Sequence, residues 1–200
     1  MKKILHRRDL VNHILHQRGD LLVVAGLGAP AWDVTAAGDH PLSFPLWGAM
    51  GGAAMIGLGL ALAQPKRKVL VVTGDGEMLM GLGSLAVIGS HKPRNLSIVV
   101  LDNEQYGETG MQDTVTASGV DLAGIAKSAG FTMTMSIKTK SELSLLKNQI
   151  YKESKTNSGP LFAQVKVDPE KLPLVLPPRE GAYLKNRFRI ALLGTQVALA

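Results

Sequence analysis

VLVVTGDGEMLMGLGSLAVIGSHKPRNLSIVVLDNEQYGETG, residues 69–110, is the stretch whose reading decides the fold. It opens with an apolar, β-branched run that ends in Gly74-Asp75-Gly76. A Gly- and Met-rich apolar segment follows, then a basic turn. A second apolar run, residues 96–101, closes on Asp102-Asn103. Short runs of this kind read as buried strands and the segment between them as a helix. Such a unit is right-handed and makes its strands parallel, so both carboxyl ends face one edge of the sheet. Open α/β sheets bind ligands at that edge. Asp75 and Asn103 are therefore expected to meet there, one offering a carboxylate oxygen and the other an amide oxygen. Two hard oxygen donors, with room for carbonyls and water, suit Mg²⁺ held against a diphosphate. Gly74 and Gly76 remove side chains where the backbone turns and approaches a ligand. The triplet alone is more often a plain turn. Its combination with a second strand ending in Asn103 is what points to a site.

That combination, GDG and then a gap of 26 residues (77–102) before Asn103, resembles the thiamine diphosphate motif, in which paired asparagines close the pattern. Asp102 stands in place of the first Asn, and Asn103, the position matching the family's metal ligand, is intact. Within that superfamily LDNEQYGETGMQ, residues 101–112, is most similar to the sulfopyruvate and phosphonopyruvate decarboxylases, with their DN-x-x-YG-x-TG-x-Q pattern. The resemblance implies thiamine diphosphate and Mg²⁺ as cofactors. It implies a metal shell of Asp75, Asn103 and the backbone carbonyl of Gln105. It places Gly74, Gly76, Glu77, Tyr106 and Gly107 against the cofactor, with Thr109 and Gly110 along cofactor and substrate. Gly48-Ala49-Met50-Gly51 resembles the family's G-S-M-G segment, a diphosphate-contacting loop in which Met50 would be an apolar wedge beneath the cofactor. From the residues alone, that segment leads into a helix N-terminus, where free N–H groups favour an anion. Met50 alone reads equally as core packing or as the filler of a gap under a folded ligand. Glu108 departs from the small residue expected between YG and TG. A carboxylate there would repel an anionic substrate unless it points away.

Composition sets the bounds. With 200 residues, 19% of them charged, and 22 glycines, the chain reads as one α/β domain with a sizeable core and not as a disordered protein. It has no Cys, which excludes disulfides, Cys-ligated clusters and thiolate chemistry and agrees with a cytoplasmic location. The net charge of +6 fits solubility, an anionic substrate or an acidic partner. No aromatic-interleaved basic strip, zinc pattern or helix-turn-helix is present, so nucleic acid is not an expected partner. Lys2-Lys3 is not followed by a signal-peptide core, because Asp9, Asn12, His13 and His16 interrupt it. Residues 46–63, LWGAMGGAAMIGLGLALA, are eighteen uncharged residues, long enough to raise a membrane span. Five glycines, no aromatic belt beyond Trp47 and an immediate strand argue instead for a helix buried on all sides. Gly48, Gly52 and the alanines between them allow close backbone approach and suggest a subunit contact.

Elsewhere the pattern alternates. Residues 4–18 form an amphipathic helix with Ile4, Leu5, Val11, Ile14 and Leu15 on its apolar face. His13 and His16 lie one turn apart but lack a third ligand and read as solvated. Residues 21–25 are a buried strand closing on Gly26-Leu27-Gly28, which either borders the same crevice or is a plain turn. Residues 29–45 are a loop or short helix. Within it His40 is the one loop histidine placed to reach the active edge, although a surface position is the more ordinary reading. Residues 79–90 form the helix after GDG, and residues 104–116 an active-site loop with neither helix nor strand period. A helix over 121–129 stops at Gly130. A strand over 131–137, a helix capped by Ser141 or Thr139 and a last strand over 161–167 follow. A proline arm and a basic helix over 183–193 end the chain. The count predicts a doubly wound, mostly parallel six-stranded sheet with helices on both faces. Residues 1–200 make one diphosphate-binding domain, with 168–200 its arm and C-terminal helix.

In the superfamily this chain resembles, a Glu from a separate pyrimidine-binding domain activates the cofactor. A chain of 200 residues has room for the diphosphate-binding domain alone. Glu77 and Glu108, the acidic residues near the site, lie on the wrong side of the cofactor in the resemblance. The resemblance therefore gives this chain no catalytic residue of its own. A pyrimidine-domain (α-type) subunit is expected to supply that Glu in a hetero-oligomer, and the chain resembles the β half of the two-subunit sulfopyruvate decarboxylases. The reaction implied is conversion of a small anionic 2-oxo acid to an aldehyde and CO₂. The alternatives are a subunit of an acetolactate-synthase-like carboligase or of a 2-oxoacid oxidoreductase, and a non-catalytic cofactor-binding subunit.

Overall fold

The structure is a computed structural model that describes residues 5–153 and 158–199. Ile4, assigned to the first apolar face, lies outside them. The strands of the main sheet are β1 (Leu22–Ala25), β2 (Ser43–Pro45), β3 (Val69–Gly74), β4 (Leu96–Asp102), β7 (Met133–Ile137) and β8 (Leu161–Lys166). They lie in the order β2-β1-β3-β4-β8-β7, with every pairing parallel. β5 (Gln105–Tyr106) and β6 (Gln112–Asp113) form a small antiparallel ribbon of their own.

β3 and β4 form at the centre because both their faces are covered, which suits continuous apolar runs. Alternate side chains feed two cores. Val23, Leu70, Val72 and Val99 pack with α1 (Arg7–Leu15), α2 (Ala29–Ala36) and α7 (Leu143–Tyr151). Val24, Val71, Ile98 and Phe162 pack with α3 (Ala53–Ala63), α5 (Ser84–His91) and α6 (Leu122–Ser128). Chain progression reverses at β1, which has β2 on one side and β3 on the other. The crevice beyond the carboxyl ends of β1 and β3 is therefore the switch point where such sheets bind ligands. The register aligns Gly74 with Leu101, which brings Asp75 and Asp102 to the same rim.

Several expectations are corrected. Residues 29–45 contain the helix α2 and the edge strand β2. That strand escapes notice because it is three residues long and ends in Pro45, which only an edge tolerates. His40 precedes β2 and so stands at the amino edge, away from the crevice, where its Nδ1 accepts the Leu42 N–H at 3.1 Å. The helix expected over 46–63 begins only at Ala53, and it is not buried on all sides: Met55 (41%) and Leu62 (49%) are exposed in this chain. Gly57 serves the sheet, since a Cβ there would stand 2.2 Å from Val71 Cγ2. The helix expected over 79–90 is split into α4 (Asp75–Met80) and α5. The break is at Gly81, where a Cβ would stand 2.2 Å from the Gly51 carbonyl oxygen of the crossing loop.

The loop over 104–116 holds the β5–β6 ribbon, formed by only two residues on each side. Thr139 caps a 3₁₀ turn, Lys140–Glu142, ahead of α7. Beyond β8 the chain runs extended past α1, where Arg8 Nη2 donates to the Pro173 carbonyl, and on to the opposite edge, where Trp47 Nε1 donates to the Pro178 carbonyl. α8 (Gly181–Leu193) then packs on β2 through Phe188 and Phe44, and a short α9 (Thr195–Leu199) follows. No helix among the described residues is long and apolar enough to cross a membrane.

Candidate cofactor and cation site

Asp75 is the first residue of α4, at the carboxyl end of β3, and its side chain is 1% exposed. Two threonine hydroxyls lie within hydrogen-bonding distance of its Oδ2, Thr114 at 2.6 Å and Thr116 at 3.2 Å. Burial pushes the Asp75 carboxyl above its ordinary range. The Thr114 bond opposes this and the neighbouring Asp102 adds to it. Asp102 is fully buried. Its Oδ1 accepts from Thr116 at 2.8 Å, and its Oδ2 from Gln164 Nε2 at 2.5 Å and Lys166 Nζ at 2.8 Å. Lys166 also reaches Glu104 Oε1 at 2.6 Å. Burial alone would lower the Lys166 ammonium, but its bonds to Asp102 and Glu104 outweigh burial and raise it.

Asn103 follows directly, and its Oδ1 accepts the Gln105 N–H at 3.1 Å. Glu104, between them, turns the chain in the left-handed region at φ 65°. The side-chain oxygen of Gln105 is buried with no hydrogen-bond partner among the described residues. The ring of Tyr106 rests on Gly76, where a Cβ would lie 2.6 Å from it.

Asp75, Asn103, Gln105 and Tyr106 share one cleft at the carboxyl edge. Of the residues singled out in the sequence, Met50, Gly74, Asp75, Gly76, Glu77, Asn103, Gln105, Tyr106, Gly107 and Thr109 line it, and so does Leu27 from the loop after β1. Gly48, Gly51 and Gly110 do not. Gly51, at φ 93°, forms the crossing with Gly81 instead.

The expected free helix N-terminus beyond Gly48-Ala49-Met50-Gly51 is also corrected. Ala49 and Gly51 turn at positive φ, α3 starts after Gly52, and the Ala53 N–H is directed to Glu77 Oε1 at 3.4 Å. Glu77, 3% exposed, accepts as well from Thr73 Oγ1 at 2.8 Å and the Leu27 N–H at 3.1 Å. Burial pushes its carboxyl up, against the pull of these donors. Its carboxylate is thus bound within the chain, tying the loop after β1 and the start of α3 to β3.

Glu108 does not point away from the cleft. Its carboxylate lies against Gly28, where a Cβ would stand 2.6 Å from Oε1. Burial raises the Glu108 carboxyl, and Arg7, on the same cleft wall, pulls it down. Arg7 is buried and donates to Asp33 Oδ2 at 2.5 Å.

Thr114, Thr116, Lys166 and Arg7 carry no signal in the sequence. The first two stand in a polar loop whose facing has no period, and Lys166 and Arg7 resemble solvated charges until their buried partners are known. His13 and His16 are both exposed, and among the described residues no group of three or more His, Cys, Asp or Glu is placed to hold a metal. The cleft at Asp75 is of another kind, with one buried carboxylate beside the side chains of Asn103 and Gln105.

Fold and cleft together define a doubly wound α/β domain whose ligand edge carries oxygen donors. Residues 28–165 match the model of the thiamine pyrophosphate enzyme C-terminal TPP binding domain, and the chain belongs to that family. It is 39% identical over 166 residues to the sulfopyruvate decarboxylase subunit beta of Methanothermobacter thermautotrophicus, covering 83% of this chain and 84% of the relative. It is 37% identical over 171 residues to the phosphonopyruvate decarboxylase of Streptomyces viridochromogenes, covering 85% of this chain but only 42% of the relative. Among solved structures, benzoylformate decarboxylase from Polynucleobacter necessarius superposes with a TM-score of 0.69 at 17% identity, over 85% of this chain and 34% of that one, which shows the shared fold.

Proposed function

We propose that this chain is the thiamine diphosphate- and Mg²⁺-binding subunit of a 2-oxo-acid decarboxylase. Its substrate is sulfopyruvate or phosphonopyruvate, converted to the aldehyde and CO₂, and a partner chain supplies the pyrimidine-binding domain. The observation that carries this reading is the buried Asp75, held through one oxygen by Thr114 at the same rim as Asn103 and Gln105. The donors fit the cation. Side-chain hydrogen bonds to Asp75 fall on Oδ2, Gln105, whose backbone carbonyl is the assigned ligand, also carries a buried side-chain oxygen without a donor, and all are the hard oxygens that Mg²⁺ prefers. Gly74 fits the diphosphate, because open space lies where its Cβ would project.

Thiamine diphosphate, when bound, supplies the electron sink for loss of CO₂. The chain's residues hold and enclose it. Asp75, Asn103 and Gln105 would bind the Mg²⁺ that neutralises the diphosphate. Met50 and Tyr106 line the cleft and would exclude water from a bound cofactor, which strengthens charge interactions at the reacting end. The activating carboxylate is assigned to the partner, since Glu77 is bound within the fold. An α-type partner also suits the exposed apolar side chains Met55 and Leu62 on α3 and Met80 at the end of α4. The relative's designation as a beta subunit, similar over most of both chains, supports the same division.

The test is co-expression with the partner subunit in the presence of thiamine diphosphate and Mg²⁺, with aldehyde formation assayed from sulfopyruvate, phosphonopyruvate and pyruvate. Turnover of one of the first two, by the complex alone, is expected. Turnover by this chain alone would overturn the split site, and a complex inert toward all three would overturn the decarboxylase reading.

A further inference from the structure

We propose that Lys166 is a positioning residue for the cation site. It neutralises the buried Asp102, and Asp102 in turn fixes Thr116 beside Thr114, whose hydroxyl holds Asp75. This rests on the reading of Asp75 as a Mg²⁺ ligand.

Two carboxylates, Asp75 and Asp102, lie at adjacent strand ends and contact one hydroxyl, Thr116 Oγ1, at 3.2 and 2.8 Å. Both are closed off from water, so their repulsion is poorly screened and an uncompensated second anion is costly. The compensating charge comes from the neighbouring strand. The β4–β8 register pairs Asp102 directly with Lys166, which puts both side chains on the same face of the sheet. The ammonium then sits 2.8 Å from Asp102 Oδ2, and Gln164 Nε2 donates to the same oxygen. With Oδ2 held by these two donors, Oδ1 is turned toward Thr116.

A threonine hydroxyl carries one hydrogen. The shorter contact commits that of Thr116 to Asp102, and Thr114, 2.8 Å from Thr116, gives its own to Asp75 Oδ2 at 2.6 Å. One oxygen of Asp75 is thereby held and the other is left for the cation. A Mg²⁺–diphosphate unit has no positive charge to spare for a free Asp102, so removing Lys166 should repel the diphosphate and release the threonines together.

The experiment compares the unaltered protein, Lys166→Met, Asp102→Asn and the double variant Asp102→Asn/Lys166→Met, each assembled with its partner subunit. Titration calorimetry measures thiamine diphosphate affinity at saturating Mg²⁺, and thermal unfolding is followed without cofactor. Lys166→Met is expected to bind thiamine diphosphate at least tenfold more weakly. The double variant, neutral again at both positions, is expected to recover affinity to within about threefold of the unaltered protein. Should Lys166→Met fail to fold, the double variant still folds and binds if the charge argument holds. Unchanged affinity in Lys166→Met, or no recovery in a folded double variant, overturns the role of Lys166. Asp75→Asn separates this from the parent reading: if it binds as the unaltered protein does, Asp75 is not a cation ligand and both readings fall.

Discussion

The carboxylate of Glu77 occupies the space a side chain at Gly26 would need, for a Cβ at Gly26 would stand 1.8 Å from Glu77 Oε2. Gly26→Ala should therefore destabilise the protein by roughly 1–3 kcal/mol, the scale of overpacking a filled interior. Glu77→Ala should cost at least as much, because it strips the acceptor from the Leu27 and Ala53 N–H groups and the Thr73 hydroxyl. Denaturant unfolding checks both, and stability unchanged in Glu77→Ala would mean that these donors find water instead.

The threonines are expected to act on the cation site with little effect on the fold. Thr114→Val keeps the shape and removes the 2.6 Å donor to Asp75. A hydrogen bond to a charged group is worth about 1.5–3 kcal/mol, so Mg²⁺-dependent cofactor affinity should fall roughly ten- to hundredfold. Asp75→Ala should abolish that binding with the circular dichroism spectrum retained. Undiminished binding in either variant, measured by calorimetry, refutes the arrangement.

Asp75 also sets a pH dependence. Its folded pKa is raised above the ordinary 3.8, first by burial. A raised carboxyl contributes stability that is fully present below the unfolded value and is lost as pH climbs through the folded one. The cation-free protein should therefore lose stability as pH rises from 3.8 through the raised value, and saturating Mg²⁺ should remove that loss by pairing with the carboxylate. Proton and cation compete for the same group, so Mg²⁺ affinity should rise over the same interval. Thermal unfolding across pH, with and without Mg²⁺, measures the first effect and calorimetry the second. A pH-independent affinity is the contrary result.

Glu108 sits against Gly28 on the wall that also carries Arg7. Its carboxylate should repel an anionic substrate. Glu108→Ala should lower KM for that substrate roughly two- to fivefold, the scale of a partly solvated charge contact, and move kcat less. A raised KM would instead make Glu108 a binding group.

Local composition was enough to establish the centre of this protein. β3 and β4 are covered on both faces, so they must be unbroken apolar runs, and their ends must fall at Asp75 and Asn103 on one rim. The strand β2 and the late start of α3 were not legible. A three-residue edge strand has no period, and an apolar run does not reveal that Ala49 and Gly51 turn at positive φ before a helix can begin. Which oxygens at the rim are held, and by what, was decided only in three dimensions. Thr114 meets Asp75 across 39 positions of chain, Gln164 meets Asp102 across 62, and Lys166 becomes the counter-charge of a buried carboxylate only because β8 lies beside β4 in one register. Strand formation depends on neighbours a few residues away and can be read along the chain. Satisfying a buried charge depends on distant segments, and nothing local in a sequence records which of them will arrive.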